Sequence, residues 1–428
     1  MEKEPAGIGR RKILSALGVG GVGLAVGAGG VLGVQAAQSS GRSAAPVADT
    51  VPFYGTHQAG ITTAVPDRLH IAAFDVTATS RDELIALLKE WTAAIASMTA
   101  GQEVGGAGAA TDGSYEAPPE DTGEALDLSA SHLTVTVGFG RSLFVDAAGK
   151  DRFGLKDKLP EALIEMPHFP KDALEPGRSD GDIVVQACAD DPQVAVHAIR
   201  NLARIAMGTA RVRWSQLGFG RTSSTSTAQT TPRNLFGFKD GTANPKAENA
   251  SVMDEHVWVS GASGNSAWMN NGTYMVARRI RMTIETWDRS SLAEQEKVIG
   301  RTKKSGAPLS GGEEFTEPNF ELAGKTGPLI DTNSHVAIAH SSRNNGVQML
   351  RRGFNYTDGS DNLGRLDAGL FFIAFVVDPR THYVPMQNAM AKNDLLTEYL
   401  RHTGSGLYAV PAGVKDGEYL GQQLFETA

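Results

Sequence analysis

Cysteine is almost absent from this chain of 428 residues: Cys188 stands alone. One thiol excludes a disulfide framework, a Cys-x-x-Cys-His haem attachment, and any zinc or iron–sulfur centre built on cysteines. Positive charge is scarce too, with 40 Lys and Arg against 48 Asp and Glu and a formal net charge of −8. A surface that tracks phosphates needs clustered cations, so the balance excludes a nucleic-acid binder. Strongly apolar runs are also missing. The uncharged stretch from Ile13 to Gly41 carries eight glycines between Gly18 and Gly33 and is only weakly hydrophobic. What is present, 41% hydrophobic and 21% charged residues, is the balance of a folded globular protein. The length suggests two or three domains, or one duplicated unit.

The N-terminus reads Gly9-Arg10-Arg11-Lys12-Ile13. Twin arginines ahead of a mild apolar segment resemble a twin-arginine export signal, with Gly9 and Ile13 where that pattern prefers Ser and Phe. Val34 and Ala36 suit cleavage before Ala37, so residues 1–36 are expected to be removed and 37–52, rich in Ser, Ala and Gly, to form a flexible linker. A retained anchor is the rival reading, because the segment is long enough to span a bilayer. Glycine density and the small-residue pattern favour removal, leaving no stable membrane span. Export by this route, to the cell envelope, periplasm or exterior, mostly carries proteins that fold around a cofactor first.

Beyond the linker the patterns alternate strand and helix. Leu69–Thr77 reads as a strand, and Ser80 with Glu83 forms a capping box for a helix striped by Leu84, Leu87, Trp91, Ile95 and Met98. His132–Phe139 is the next strand. Between them, Gly101 to Ser131 holds seven acidic residues and no Lys or Arg, and reads as a surface insertion too polar to pack. Asp182–Ala189 is a strand; Asp191-Pro192 opens a helix carrying Val196, Ile199, Leu202 and Ile205; Arg211–Phe219 is a strand. In the second half, Tyr274–Glu285, Ala368–Val377 and Leu407–Val410 read as strands, and Ser290–Ile299 and Met386–Arg401 as helices. The repeated β-α-β order implies an α+β protein of two ferredoxin-like halves, 53–222 and 223–428, with a cavity between sheet and helices.

The most informative run is Thr231-Pro-Arg-Asn-Leu-Phe-Gly-Phe-Lys-Asp-Gly-Thr-Ala-Asn-Pro245. Glycines either side of Asp240 permit a tight backbone that approaches a flat ligand and aims the carboxylate at it; in the bland reading Asp240-Gly241 merely closes a turn. Then come Asn333-Ser-His-Val-Ala-Ile338, Met349-Leu-Arg-Arg-Gly-Phe-Asn-Tyr356 and Asn393-Asp-Leu-Leu-Thr-Glu-Tyr399. Taken singly, His335 is a core histidine, Arg351-Arg352 a solvated pair, and Asp394 a charge on a helix surface.

Taken together, in this order, and with Gly55-Thr-His-Gln-Ala-Gly-Ile61 near the start, the four runs resemble the dye-decolourising peroxidases, in particular their exported, deferrochelatase-like subgroup. The resemblance implies one haem b per chain, with His335 as the iron ligand and Asp240 and Arg351 across the ring as catalytic acid–base and charge-stabilising pair. It implies Gly241, Thr242 and Ala243 against the porphyrin through their backbone, and Asp394 on the other ring nitrogen of His335. His340 is the nearest rival ligand. Ala337 stands where the family often has Arg, and no Pro follows in Ala339–Arg343, which leaves Arg343 and Arg233 as substitutes for holding the propionates. The implied substrates are hydrogen peroxide and an organic electron donor, a dye or phenol, with an acidic optimum because carboxylates stay ionised in mild acid. Tyr356, Tyr383 and Trp268 are candidates for passing electrons from bulky donors, against the commoner role of such residues in core packing. The alternative is a haem- or iron-handling protein with partners in an iron-uptake system.

Overall fold

A computed structural model describes residues 49–109, 113–325 and 327–426; the expected export signal, 1–36, and the expected linker up to residue 48 lie outside the described residues. In the first half the chain forms β1 (Arg68–Val76), α1 (Arg81–Thr99), β2 (Thr134–Gly140), the one-turn α2 (Arg141–Phe144), β3 (Ile183–Ala189), α3 (Pro192–Ile205) and β4 (Ala210–Arg221). The Ser80–Glu83 capping box starts α1, and Asp191 with Pro192 at the first helical position starts α3. The buried stripe of α3 is Val194, Ala195, Ala198, Ile199 and Leu202, so Val196 and Ile205 lie at its edge. α1 and α3 lie together on one face of the sheet, where the buried Trp91 indole donates to Leu202 O at 2.9 Å. The strands pair antiparallel in the order β4-β1-β3-β2, the ferredoxin-like arrangement.

The second half repeats that order. It comprises α4 (Ala250–His256), β5 (Thr273–Met282), α5 (Ile284–Trp287), α6 (Leu292–Ile299), a small hairpin β6 (Ala323–Gly324) and β7 (Gly327–Pro328), and α7 (His335–Ala339). After these come β8 (Leu350–Arg351), β9 (Phe354–Ser360), β10 (Leu366–Val376), α8 (Tyr383–Asn393), β11 (Leu400–Val410) and α9 (Gln422–Phe425). Its sheet runs β11-β5-β10-β9, matching β4-β1-β3-β2 strand for strand. β9 is a strand that sequence patterning misses, because after Phe354 and Tyr356 it continues into exposed Thr357-Asp-Gly-Ser360. β11 also begins seven residues earlier than expected, since Leu400–Gly406 is held by β5 rather than by an apolar run of its own. Helix α8 starts at Tyr383, before Pro385, which the first turn tolerates because its N–H needs no partner there.

The two sheets join at both edges. β11 meets β2 through Tyr408 opposite Gly140 and Ala409 opposite Phe139, while β4 meets β9 through Phe219 opposite Asn355 and Arg221 opposite Phe354. Eight strands therefore close into a ring with no long free edge. Its inside is packed by Leu69, Ile71, Val184, Met275, Phe354, Phe371, Ile373 and Phe375, and its outside by the helices. The Gly55–Ile61 run seals the β2–β11 seam: Gln58 Nε2 donates to Val137 O and Pro411 O, each at 3.0 Å, and its Oε1 accepts Val137 N–H at 2.8 Å. The described residues of the acidic insertion are mostly exposed and without helix or strand, but its carboxylates do cap backbone. Asp121, buried, accepts from Val104 N–H and Gly123 N–H, each at 2.7 Å.

Candidate active site

β8 and β9 form one strand line along β10, in continuous register across the kink at Arg352-Gly353. In extended backbone, neighbours point to opposite faces, so Arg351, opposite Ala374, projects to the helix side and Arg352 into the ring. Neither is a solvated surface arginine. Arg352 is wholly buried, donating to Thr63 O and Ala64 O, and burial lowers its proton affinity. On the helix side of β10, Leu370 and Phe372 are only half-buried although Ala374 and Val376 beyond them are fully so.

His335 opens α7, whose N-cap Ser334 accepts Ala337 N–H. Its Nδ1 lies 2.7 Å from Asp394 Oδ2. Asp394 does not ride on a helix surface: α8 stops at Asn393, and Asp394 takes an extended conformation (φ −70°, ψ 122°). There its Oδ1 accepts Leu396 N–H at 2.8 Å, capping a short 3₁₀ turn, while Leu395 N donates to Asn333 O at 3.0 Å. The helix ends where it must for one carboxylate oxygen to serve the turn and the other the imidazole. Burial opposes protonation of His335, but the charge and hydrogen bond of Asp394 outweigh it and hold its pKa above the ordinary value. The ring is deep in the protein, yet 34% of the side chain remains accessible, which means that it faces an internal space. Its Nε2 has no hydrogen-bond partner among the described residues.

Asp240 and Arg351 act electrostatically on the same ring, Asp240 raising and Arg351 lowering its proton affinity. Arg351 Nη1 donates to Asp240 Oδ1 at 2.8 Å, and Asn234 Nδ2 donates to Asp240 Oδ2 at 3.1 Å. Arg351 is pinned through its backbone: its N–H donates to Asn244 Oδ1 at 2.8 Å, and its carbonyl accepts from Asn244 Nδ2 at 3.0 Å and Ser223 Oγ at 2.8 Å. Lys246, held on Ser224, lies within the field of Arg351; burial first and that charge second lower its pKa.

The remaining expected residues fall less simply. Gly241 has φ +86°, and a Cβ there would stand 2.9 Å from Ser223 Cα, so protein backbone alone requires the glycine. Thr242 Oγ1 donates to Glu314 Oε1 at 3.4 Å, and Ala243 is exposed. Glu314 also pairs with Lys239 and takes a hydrogen bond from Thr231. Burial pushes its carboxyl up, but those hydrogen bonds bring it below the usual range. Arg233 donates to the carbonyls of Gly237, Lys303 and Lys304, which uses its fork on the loop itself. Arg343 lies 4.6 Å over the Phe320 ring. His340 is occupied elsewhere, 3.1 Å from Glu317 and against Phe320. Ala337 is buried beneath α7. Tyr356, Tyr383 and Trp268 are all buried, so none is a surface residue that a bulky donor could touch.

Sequence reasoning missed Asn234, Asn244, Ser223 and Glu314. The first two stand inside the run it singled out, but nothing in their type announces a role; Glu314 has no local signal at all.

The donor set fits haem. One imidazole keeps its Nε2 free of hydrogen bonds to the described residues, and a carboxylate–guanidinium pair stands within its field. Among the described residues no group of three or more His, Cys, Asp or Glu is arranged to hold a bare metal ion.

Two family models match the chain: "Dyp-type peroxidase, N-terminal" over residues 58–220 and "Dyp-type peroxidase, C-terminal" over residues 231–415. The chain belongs to the Dyp-type peroxidase family. Deferrochelatase of Yersinia pestis is 37% identical over 429 aligned residues, 97% of this chain and 95% of that protein. DtpA from Streptomyces lividans, solved as an oxyferrous/water mixed complex, is 42% identical with a TM-score of 0.80, covering 89% of this chain and 98% of that one. A DyP-type peroxidase from Streptomyces coelicolor is 41% identical with the same TM-score and coverage. This Dyp-type peroxidase is a haem-dependent oxidoreductase that acts on peroxide and an organic reductant. No helix among its described residues is long and apolar enough to cross a membrane.

Proposed function

We propose that the chain is an exported haem b peroxidase, one haem per chain, that uses hydrogen peroxide to oxidise dye-like or phenolic donors. The observation that carries it is the Asp240–Arg351 pair standing within the field of the Asp394-bound His335. When bound, haem would supply the redox-active iron for peroxide cleavage. His335 would hold that iron through Nε2, with Asp394 on Nδ1 fixing the protonated nitrogen and making the imidazole a stronger electron donor. Asp240 takes the proton from one peroxide oxygen and returns it to the other, which leaves as water. Arg351 stabilises the negative charge that develops as the O–O bond parts. The backbone of Gly241, Thr242 and Ala243 would border the porphyrin.

Stopped-flow spectroscopy at the Soret band tests the pair. Asp240→Asn and Arg351→Leu should each retain haem and slow the reaction with peroxide by about 100-fold or more. Parent-like rates in both variants would remove their assigned roles. N-terminal analysis of the secreted protein tests export, with cleavage expected before Ala37.

A second reading, a haem- or iron-handling protein, is favoured by the relatives named Deferrochelatase. It ranks lower because carriage alone has no use for a carboxylate and a guanidinium held together across the pocket. Recovery of intact iron-free porphyrin after incubation with haem would raise it.

A further inference from the structure

Asp240 is held by two donors, and only Arg351 has so far been given a task. Building on the peroxidase reading above, we propose that Asn234 is a positioning residue. It holds Asp240 Oδ2, so that Oδ1 is the oxygen that takes the proton from peroxide and gives it back. Asn234 Nδ2 donates to Oδ2 at 3.1 Å, the oxygen that Arg351 leaves alone, and Arg351 Nη1 donates to Oδ1 at 2.8 Å. The amide cannot turn round, because its own Oδ1 accepts Phe236 N–H at 3.1 Å, which commits Nδ2 to Asp240. Its backbone is locked as well: Asn234 N–H donates to Phe238 O at 3.1 Å and Asn234 O accepts Gly237 N–H at 2.9 Å. Arg233 bridges antiparallel to Lys239, so the loop folds back and sets residue 234 beside residue 240.

The two donors sit on different supports. Asn234 belongs to the same loop as Asp240, whereas Arg351 projects from β8. When peroxide enters, Arg351 has to turn its guanidinium toward the developing charge, and its bond to Oδ1 is the one released. Asn234 keeps the carboxylate aimed throughout. One proton passes from the first peroxide oxygen to Oδ1 and then to the departing oxygen, so the residue ends as it began.

The test is Asn234→Asp in the haem-loaded protein. The new carboxylate still accepts Phe236 N–H, so the loop keeps its turn, but the donor to Asp240 is gone and a like charge takes its place. Haem content and the resting Soret band should stay those of the parent. The peroxide reaction should slow by roughly tenfold, and the acid limb of its pH profile should move up by about one unit. A crystal structure of Asn234→Ala should show the Asp240 carboxylate turned onto Arg351 through both oxygens. A parent-like rate and acid limb in Asn234→Asp, with Asp240→Asn still slow, would overturn this proposal alone. Parent-like kinetics in Asp240→Asn would instead overturn the role of Asp240 on which it rests.

Discussion

Arg351 and Arg352 show how much one peptide unit decides. They are identical in type, yet the alternation of an extended strand sends one to the pocket and the other into the packed ring. Opposite outcomes follow on substitution. Arg352→Ala removes a wholly buried guanidinium and its bonds to the Thr63 and Ala64 carbonyls and leaves a hole, and should cost roughly 3 kcal/mol in a urea unfolding curve. Arg351→Leu should shift that curve little while slowing the peroxide reaction. Asp394→Asn should keep the side chain's shape but lose its charge on His335, and haem titration of the apoprotein should show affinity lower by about 10- to 100-fold. Singly these positions read as a core histidine, a turn aspartate, a solvated arginine and a helix-surface charge; it is the order of the four runs, and the family they resemble, that singles out His335, Asp240, Arg351 and Asp394. Their surroundings were not legible in the chain. Asn234 looks like any turn asparagine until the fold sets it against Asp240.

Among the elements, the loop 231–245 and the segment 301–334 depend on each other. Glu314 gathers Lys239, Thr231 and Thr242, and Arg233 holds the carbonyls of Lys303 and Lys304. These ties clasp the loop carrying Asp240 to the segment that leads into His335. Glu314→Gln should weaken the clasp and speed haem loss several-fold, measured as transfer to apomyoglobin, with little change in the unfolding midpoint. Sequence patterning located most strands and helices because caps and alternation are local signals. It failed for β9, where exposed polar residues hide the period, and at the end of α8, where Asp394 leaves a helix that its neighbours' types would continue.

Across the whole molecule, two partly buried histidines contribute to the response to acid. Burial holds His70 at a pKa of about 4, and burial followed by the charge of Arg278 holds His402 at about 3. Both lie below the value of about 6.5 expected in the unfolded chain. Above pH 6.5 neither state binds these protons. As pH falls from 6.5 towards 4 and 3, the unfolded chain takes up protons that the fold refuses, so stability declines across that window. Each histidine contributes on the order of a few kcal/mol to the decline. The thermal midpoint should therefore drop through this range, and His70→Gln should flatten the slope; an equal slope in that variant would remove His70 from the account. An acidic activity optimum, if found, is then reached at some expense of stability.

By itself the sequence determined the acidic balance, the lack of cross-links, the capped helices, the alternating strands and the order of two similar halves, because each of these depends on side chains within a few residues of one another. Only the tertiary structure decided that the halves close into a ring, that Gln58 seals one seam, and that Asp394 meets His335 while Asn234 meets Asp240. Each seam rests on two residue pairs joining strands far apart in the chain, and such pairing leaves no periodic mark on either segment.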